Sequence, residues 1–145
     1  MKSPHLLATA CALILISFVS CKKDKDTTED DSLKALEKQV QWKWQINKIT
    51  TNTNFSGTEQ KVTYDGQPTD YIDFRKDGKM YRSFQGRFDT ADYFVAIVDN
   101  EKLINIKRDN VYIKQLTDQS MTLYDFDRES IVNVGFIEVT YHLTR

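Results

Sequence analysis

The stretch YIDFRKDGKMYRSF, residues 71–84, decides the fold. Ile72 and Phe74 alternate with Asp73 and Arg75, the period-two pattern of a strand with one covered face. Asp77-Gly78 follows, a dipeptide suited to the positive φ angles of a two-residue hairpin turn. Met80-Tyr81-Arg82-Ser83-Phe84 then runs back. Two short strands joined this tightly pair antiparallel.

Working outward, the same period recurs on both sides. Upstream, Trp42, Trp44 and Ile46 alternate with Lys43, Gln45 and Asn47, and Lys61 to Tyr64 reads as a weaker strand. Downstream, Tyr93 to Val98 is apolar on both faces and is expected to be covered on both. Asp99-Asn100, Asp109-Asn110 and Asp118-Gln119 are expected turns, leading into Leu103 to Lys107, Val111 to Leu116 and Met121 to Phe126. The last strand sends Ile137, Val139, Tyr141 and Leu143 one way and Glu138, Thr140 and His142 the other. Regularly spaced strands with turn chemistry between them signal a sandwich or barrel. The short turns favour consecutive hairpins, and an up-and-down barrel of about eight strands leaves no open edge. The clearest helix is Ser32 to Val40, with Ser32 as N-cap, Asp30 and Asp31 before it, and Leu33, Leu36 and Val40 on one stripe.

The expected class is therefore all-β, an antiparallel up-and-down barrel with a short N-terminal helix. The chain resembles the lipocalin-like domains of small Bacteroidetes lipoproteins. The features that carry the resemblance are Val40-Gln41-Trp42-Lys43-Trp44-Gln45-Ile46 after a short helix, the Asp77-Gly78-Lys79 hairpin, and the tail from Leu103 to Tyr124 with its terminal Tyr141-His142-Leu143-Thr144. It departs from the lipocalin Gly-x-Trp opening, where Val40 or Trp42 fills the Gly place. The resemblance implies the barrel and, more loosely, a ligand.

The first thirty residues speak of location. Lys2 precedes the uncharged run Leu6 to Val19, LLATACALILISFV. That suits a signal-peptide core of roughly 7–15 residues and falls short of the roughly 20 needed to span a bilayer. Ser20-Cys21 and then KKDKDTTEDD follow, with Phe18 at the −3 position. The junction resembles the lipobox of lipoprotein signal peptides, which implies cleavage before Cys21 and acylation of that residue. The Lys/Asp-rich stretch after it resembles the export signal that sends such proteins to the outer face of the outer membrane. The expected organisation is residues 1–20 as signal peptide, 21–31 as lipidated cysteine and flexible tether, and 32–145 as the barrel. Cys11 leaves with the leader and Cys21 takes the lipid, so the mature domain is expected to have no thiol chemistry.

Little points to catalysis. With Lys2 removed, 19 basic residues face 21 acidic ones, a weak charge that argues against nucleic acid. His142 is the one histidine outside the leader and is expected to face solvent. No nucleophile-elbow motif is present, and zinc would want more His or Cys ligands than the chain offers. Asp125-Phe126-Asp127-Arg128-Glu129 alternates carboxylates that a hard cation would accept, but it lacks the spacing and glycine of an EF-hand, so no metal is assigned. Asp89-Thr90-Ala91-Asp92 reads as a plain loop. No enzyme activity and no cofactor are expected.

The surplus is aromatic. In an eight-strand barrel the interior is wide enough either to be filled by side chains or to hold one small ligand. The expected partners are the membrane, through lipid on Cys21, and a small apolar or amphipathic ligand lined by Trp44, Ile46, Phe74, Phe84, Val95, Ile97, Val139 and Tyr141. The alternative is a filled barrel that docks another envelope protein through its outer face or loops, such as Thr51 to Gln60.

Overall fold

The computed structural model describes residues 26–55, 57–127 and 135–145. The leader, Cys21 and the Arg128-Glu129 part of the acidic run lie outside the described residues. Among the described residues are one helix, α1 (Asp26–Val40), and nine strands: β1 (Lys43–Phe55), β2 (Thr58–Asp65), β3 (Tyr71–Phe74), β4 (Lys79–Phe84), β5 (Arg87–Val98), β6 (Glu101–Ile106), β7 (Asp109–Leu116), β8 (Ser120–Asp127) and β9 (Gly135–Thr144). From β3 to β9 each strand pairs antiparallel with the next. β9 returns to β1 along Gln45–Phe55, while Lys43, Trp44 and Gln45 of β1 pair with β3. The ring of β1 and β3 through β9 is the closed eight-strand barrel that the hairpin spacing predicts. The ninth strand, β2, continues the β3 side of β1 upward, pairing Lys48–Phe55 of β1 with Thr58–Asp65.

Several local readings change. The helix begins at Asp26, six residues ahead of the expected Ser32 cap. Acidic residues suit the positive N-terminal end of a helix, and Lys34 answers Asp30 one turn away with an i,i+4 ion pair. The turn expected at Asp109-Asn110 is at Lys107-Arg108, both at positive φ, and Asp109-Asn110 opens β7. The segment Asp89 to Asp92 is strand rather than loop, because β5 runs all the way from the Gln85-Gly86 turn. Within the expected loop Thr51 to Gln60, Thr51–Phe55 and Thr58–Gln60 belong to the paired strands β1 and β2. Tyr93 to Val98 is covered on one face alone: Tyr93 and Val95 are buried, but Phe94 and Val98 stand 57% and 52% exposed on the outside. Trp42 precedes β1 and lies against the Arg145 guanidinium, 4.3 Å from the ring centre.

The lower end of the barrel is filled. Trp44, Ile46, Phe74, Met80, Val95, Ile104, Ile113, Met121 and Leu143 are buried there in one cluster, and Leu36 and Val40 of α1 join them as a plug. Trp44 donates its indole N–H to the Val40 carbonyl at 2.9 Å, which ties the helix end to the first strand. The Phe74 and Tyr93 rings meet edge-on at 5.0 Å, and the Tyr93 hydroxyl donates to the Arg75 carbonyl. Burial without a full solvent shell pushes the Tyr93 phenol up.

Where β2 gives way to β3, the link 66–70 is fastened by one carboxylate. Asp70 is fully buried and accepts from the Tyr64 hydroxyl at 2.5 Å, the Gln67 amide at 2.9 Å and the Gln85 amide at 2.9 Å. Burial opposes its charge, but the three donors outweigh burial and hold its pKa below the usual carboxylate value. Its own backbone carbonyl accepts from Ile46. Gly66 lies so close to β1 that a Cβ there would stand 1.8 Å from the Ile46 carbonyl oxygen. These contacts stitch β2, β3 and the β4–β5 turn together where no strand pairing joins β2 to β3 or β4.

Candidate functional site: the charged mouth of the barrel

Strand parity sets which side chains look into the barrel. Paired residues of antiparallel strands share a face, so the buried Ile72 carries its partner Arg82, and Arg82 carries Asp89. The sequence pattern of β4 alone points the same way, since Arg82 falls in step with Met80 and Phe84. On β8, Asp125 falls in step with Met121 and Leu123. An inward charge at the upper end of a strand marks an opening rather than a core position.

These residues enclose a cavity of about 220 Å³ above the filled lower half. Its floor is apolar: Ile72, Met80, Ile106, Val111 and Leu123. Its rim is polar: Arg82, Asp89, Lys107, Asp109, Asp125 and Tyr141. Asp89 lies between two cations, 3.3 Å from the Arg82 guanidinium and 3.3 Å from Lys107 Nζ. The hydrogen bond from Lys107, more than the Arg82 charge, holds the Asp89 carboxyl below the usual range. Tyr141 is pushed up by burial, with Arg82 pulling it down and Asp125 pushing it further up. The rim can therefore present both signs of charge beside a phenol, next to an apolar surface.

The expected lining residues divide. Tyr141 lines this cavity. Trp44, Ile46, Phe74 and Val95 lie in the filled cluster below it, and Val139 packs at the border of that cluster. Phe84 is taken up by an edge contact with Tyr64, 5.1 Å between ring centres. Ile97 falls in step with Tyr93 and Val95 but stands exposed beyond the filled cluster, beside Leu33 of α1. The polar rim was missed because charged residues on short strands read as solvent-facing; the parity of Arg82 and Asp125 was the signal that could have found them. His142 is exposed on the outer side of β9. Among the described residues no three His, Cys, Asp or Glu side chains stand together as a metal site, and no helix is long and apolar enough to cross a membrane.

Fold and mouth together define the class: a small all-β protein built on a closed, eight-strand, up-and-down antiparallel barrel, consistent with a lipocalin-like fold. Compared with protein-family models, curated proteins and solved structures, the chain matches none.

Proposed function

We propose that the chain is a lipid-anchored binding protein that holds a small amphipathic ligand in the mouth of its barrel. The observation that carries this reading is the cavity itself, apolar below and charged at the rim. That is the usual makeup of a small-molecule site, a hydrophobic lining with a few placed polar groups. At about 220 Å³ it is smaller than the roughly 300–1,000 Å³ of drug-sized sites, so the ligand is a short-chain compound. Its apolar part would lie over Ile72, Ile106 and Leu123, with its polar end among Arg82, Asp89, Lys107 and Tyr141.

A thermal-shift screen with short alkyl carboxylates, alkylamines and neutral alkanols tests the site. At least one class should raise the melting temperature of the wild type and leave a Leu123→Trp variant, whose floor is filled, unmoved. No response from any class, or an equal response in Leu123→Trp, would sink the reading.

Anchoring rests on Cys21, carried by the lipobox pattern before it. With two or more acyl chains attachment is stable, where one chain gives marginal binding. Cys21→Ser should move the protein from the membrane to the soluble fraction. Protease treatment of intact cells addresses the outward-facing location suggested by the Lys/Asp-rich stretch: a fully protected domain would count against it.

A second reading, a docking module for another envelope protein, draws on the exposed Phe94 and Val98 on the outside of β5. Co-purification of one stable protein partner, lost in Phe94→Ser, would favour it over ligand binding.

A further inference from the structure

Beyond ligand binding, we propose that two copies of this chain pair through the free edge of β2, antiparallel and centred on Gln60. Among the described residues, β2 is hydrogen-bonded to β1 on one side and to no strand on the other. Every residue from Thr58 to Thr63 is exposed, so nothing among the described residues covers that edge.

The direction of the backbone groups follows from bonds already present. The Gly66 amide donates to the Asn47 carbonyl at 2.8 Å, and hydrogen-bonded pairs recur at every second residue of an antiparallel ladder. Counting back along the register, Tyr64, Val62, Gln60 and Thr58 turn their N–H and C=O groups toward β1. The Thr53 hydroxyl reaches the Gln60 carbonyl from β1, which agrees. Glu59, Lys61 and Thr63 therefore offer theirs to the open side.

A two-fold axis between identical antiparallel strands must pass through a residue that faces itself, because hydrogen-bonded and non-bonded pairs alternate and symmetry makes the flanking pairs alike. Few registers remain, and charge separates them. Centred on Glu59, like acids face each other. Centred on Lys61, like bases do. Centred on Val62, Glu59 meets Asp65. Centred on Thr63, Lys61 meets Asp65, but Asp65 already stands opposite Lys48 on β1, while Glu59, which has only Asn54 opposite it there, gains no charge partner. Centred on Gln60, Glu59 of each copy meets Lys61 of the other, twice, at the hydrogen-bonded positions, with Thr58 opposite Val62. Opposite charges directly across a ladder stabilise it and like charges destabilise it. A lysine on an edge usually deters pairing; here Glu59 of the second copy answers it.

The register is tested in the full chain in detergent, with Cys11 and Cys21 replaced by Ser so that one introduced thiol stands alone. Facing non-hydrogen-bonded residues lie about 4.5 Å apart at Cα, within reach of a disulfide. Gln60→Cys should therefore form a covalent dimer on mild oxidation, faster than Lys38→Cys on the helix. Thr58→Cys and Val62→Cys should cross-link when mixed and not when alone. Glu59→Lys or Lys61→Glu should each reduce the Gln60→Cys dimer several-fold, and the two together should restore it. Gln60→Cys reacting no faster than Lys38→Cys would overturn the pairing. So would efficient cross-linking of Val62→Cys with itself, or failure of the double charge swap to restore the dimer.

Discussion

The two ends of the barrel are built from the same strands and do opposite things. At the lower end, inward positions carry Trp44, Phe74, Val95 and Leu143, and α1 closes over them with Leu36 and Val40. At the upper end, the same inward rows carry Arg82, Asp89 and Asp125, and a cavity remains. Filling one end concentrates stability there. The other end is then free to keep charges that contribute little to folding, since the Arg82–Asp89 and Lys107–Asp89 pairs are more than one-third exposed and such pairs are worth about 0–1 kcal/mol.

If that division is right, the largest effects belong to the lower end. Trp44→Ala removes a fully buried indole and its bond to Val40. It should cost about 4 kcal/mol in urea unfolding, in the range for large aromatic truncations. A loss as small as that of a mouth variant would break the contrast between the ends.

The seam between them comes next. Asp70→Asn keeps the shape but loses charge-assisted bonds from Tyr64, Gln67 and Gln85. A cost of about 2 kcal/mol is expected, because hydrogen bonds to charged groups are worth roughly 1.5–3 kcal/mol and not all three are forfeited. The wild type should also carry a pH signature. With its folded pKa lowered, Asp70 adds stability above its unfolded value of about 3.9. That stability is lost as pH falls from there through the folded value. Unfolding at neutral and acid pH should show the gap between wild type and Asp70→Asn narrowing in acid. A constant gap would remove the carboxylate from the account of the seam.

The lower end was legible in the sequence because alternation names the inward face and bulk names the core: Trp44, Ile46, Phe74 and Leu143 all fall where the pattern puts them. The seam was not legible. Asp70 sits in Gly66-Gln67-Pro68-Thr69-Asp70, which reads as an ordinary turn, and its burial arises from Tyr64 and Gln85, brought together by the fold. The mouth was half legible. Parity reaches Arg82, but whether an inward arginine meets solvent or core depends on how far up the barrel the strand has climbed. That depends on closure between β1 and β9, residues 97 positions apart at the Asn47–Thr144 contact.

The mouth should respond in function more than in stability. Arg82→Met removes one partner of Asp89 and leaves Lys107 in place. It should change urea stability by less than about 1 kcal/mol while altering which class of amphiphile shifts the melting temperature. A loss comparable with Trp44→Ala would mean that the mouth is part of the core after all.

The smallest expected effect also has the opposite sign, and it comes from a turn at the mouth. Lys107 and Arg108 carry φ angles of 55° and 98°, where a side chain costs about 1–2 kcal/mol relative to glycine. The Asp109-Asn110 dipeptide next door is the better turn former by composition, yet it is drawn into β7 because Asp109 and Asn110 pair with Ile106 and Asn105. Register, fixed by the inward row of Ile104 and Val111, overrides the local preference and leaves an arginine in glycine's conformation. Arg108→Gly should relieve that strain, less the roughly 0.4–1 kcal/mol of extra freedom that glycine gives the unfolded chain, for a net gain of about 0.5 kcal/mol in urea unfolding. Because Lys107 keeps its hold on Asp89, the amphiphile response should stay as in the wild type. A destabilised Arg108→Gly would show that the arginine side chain holds the turn by contacts outweighing its backbone strain, and the rim would then contribute to stability as the lower end does.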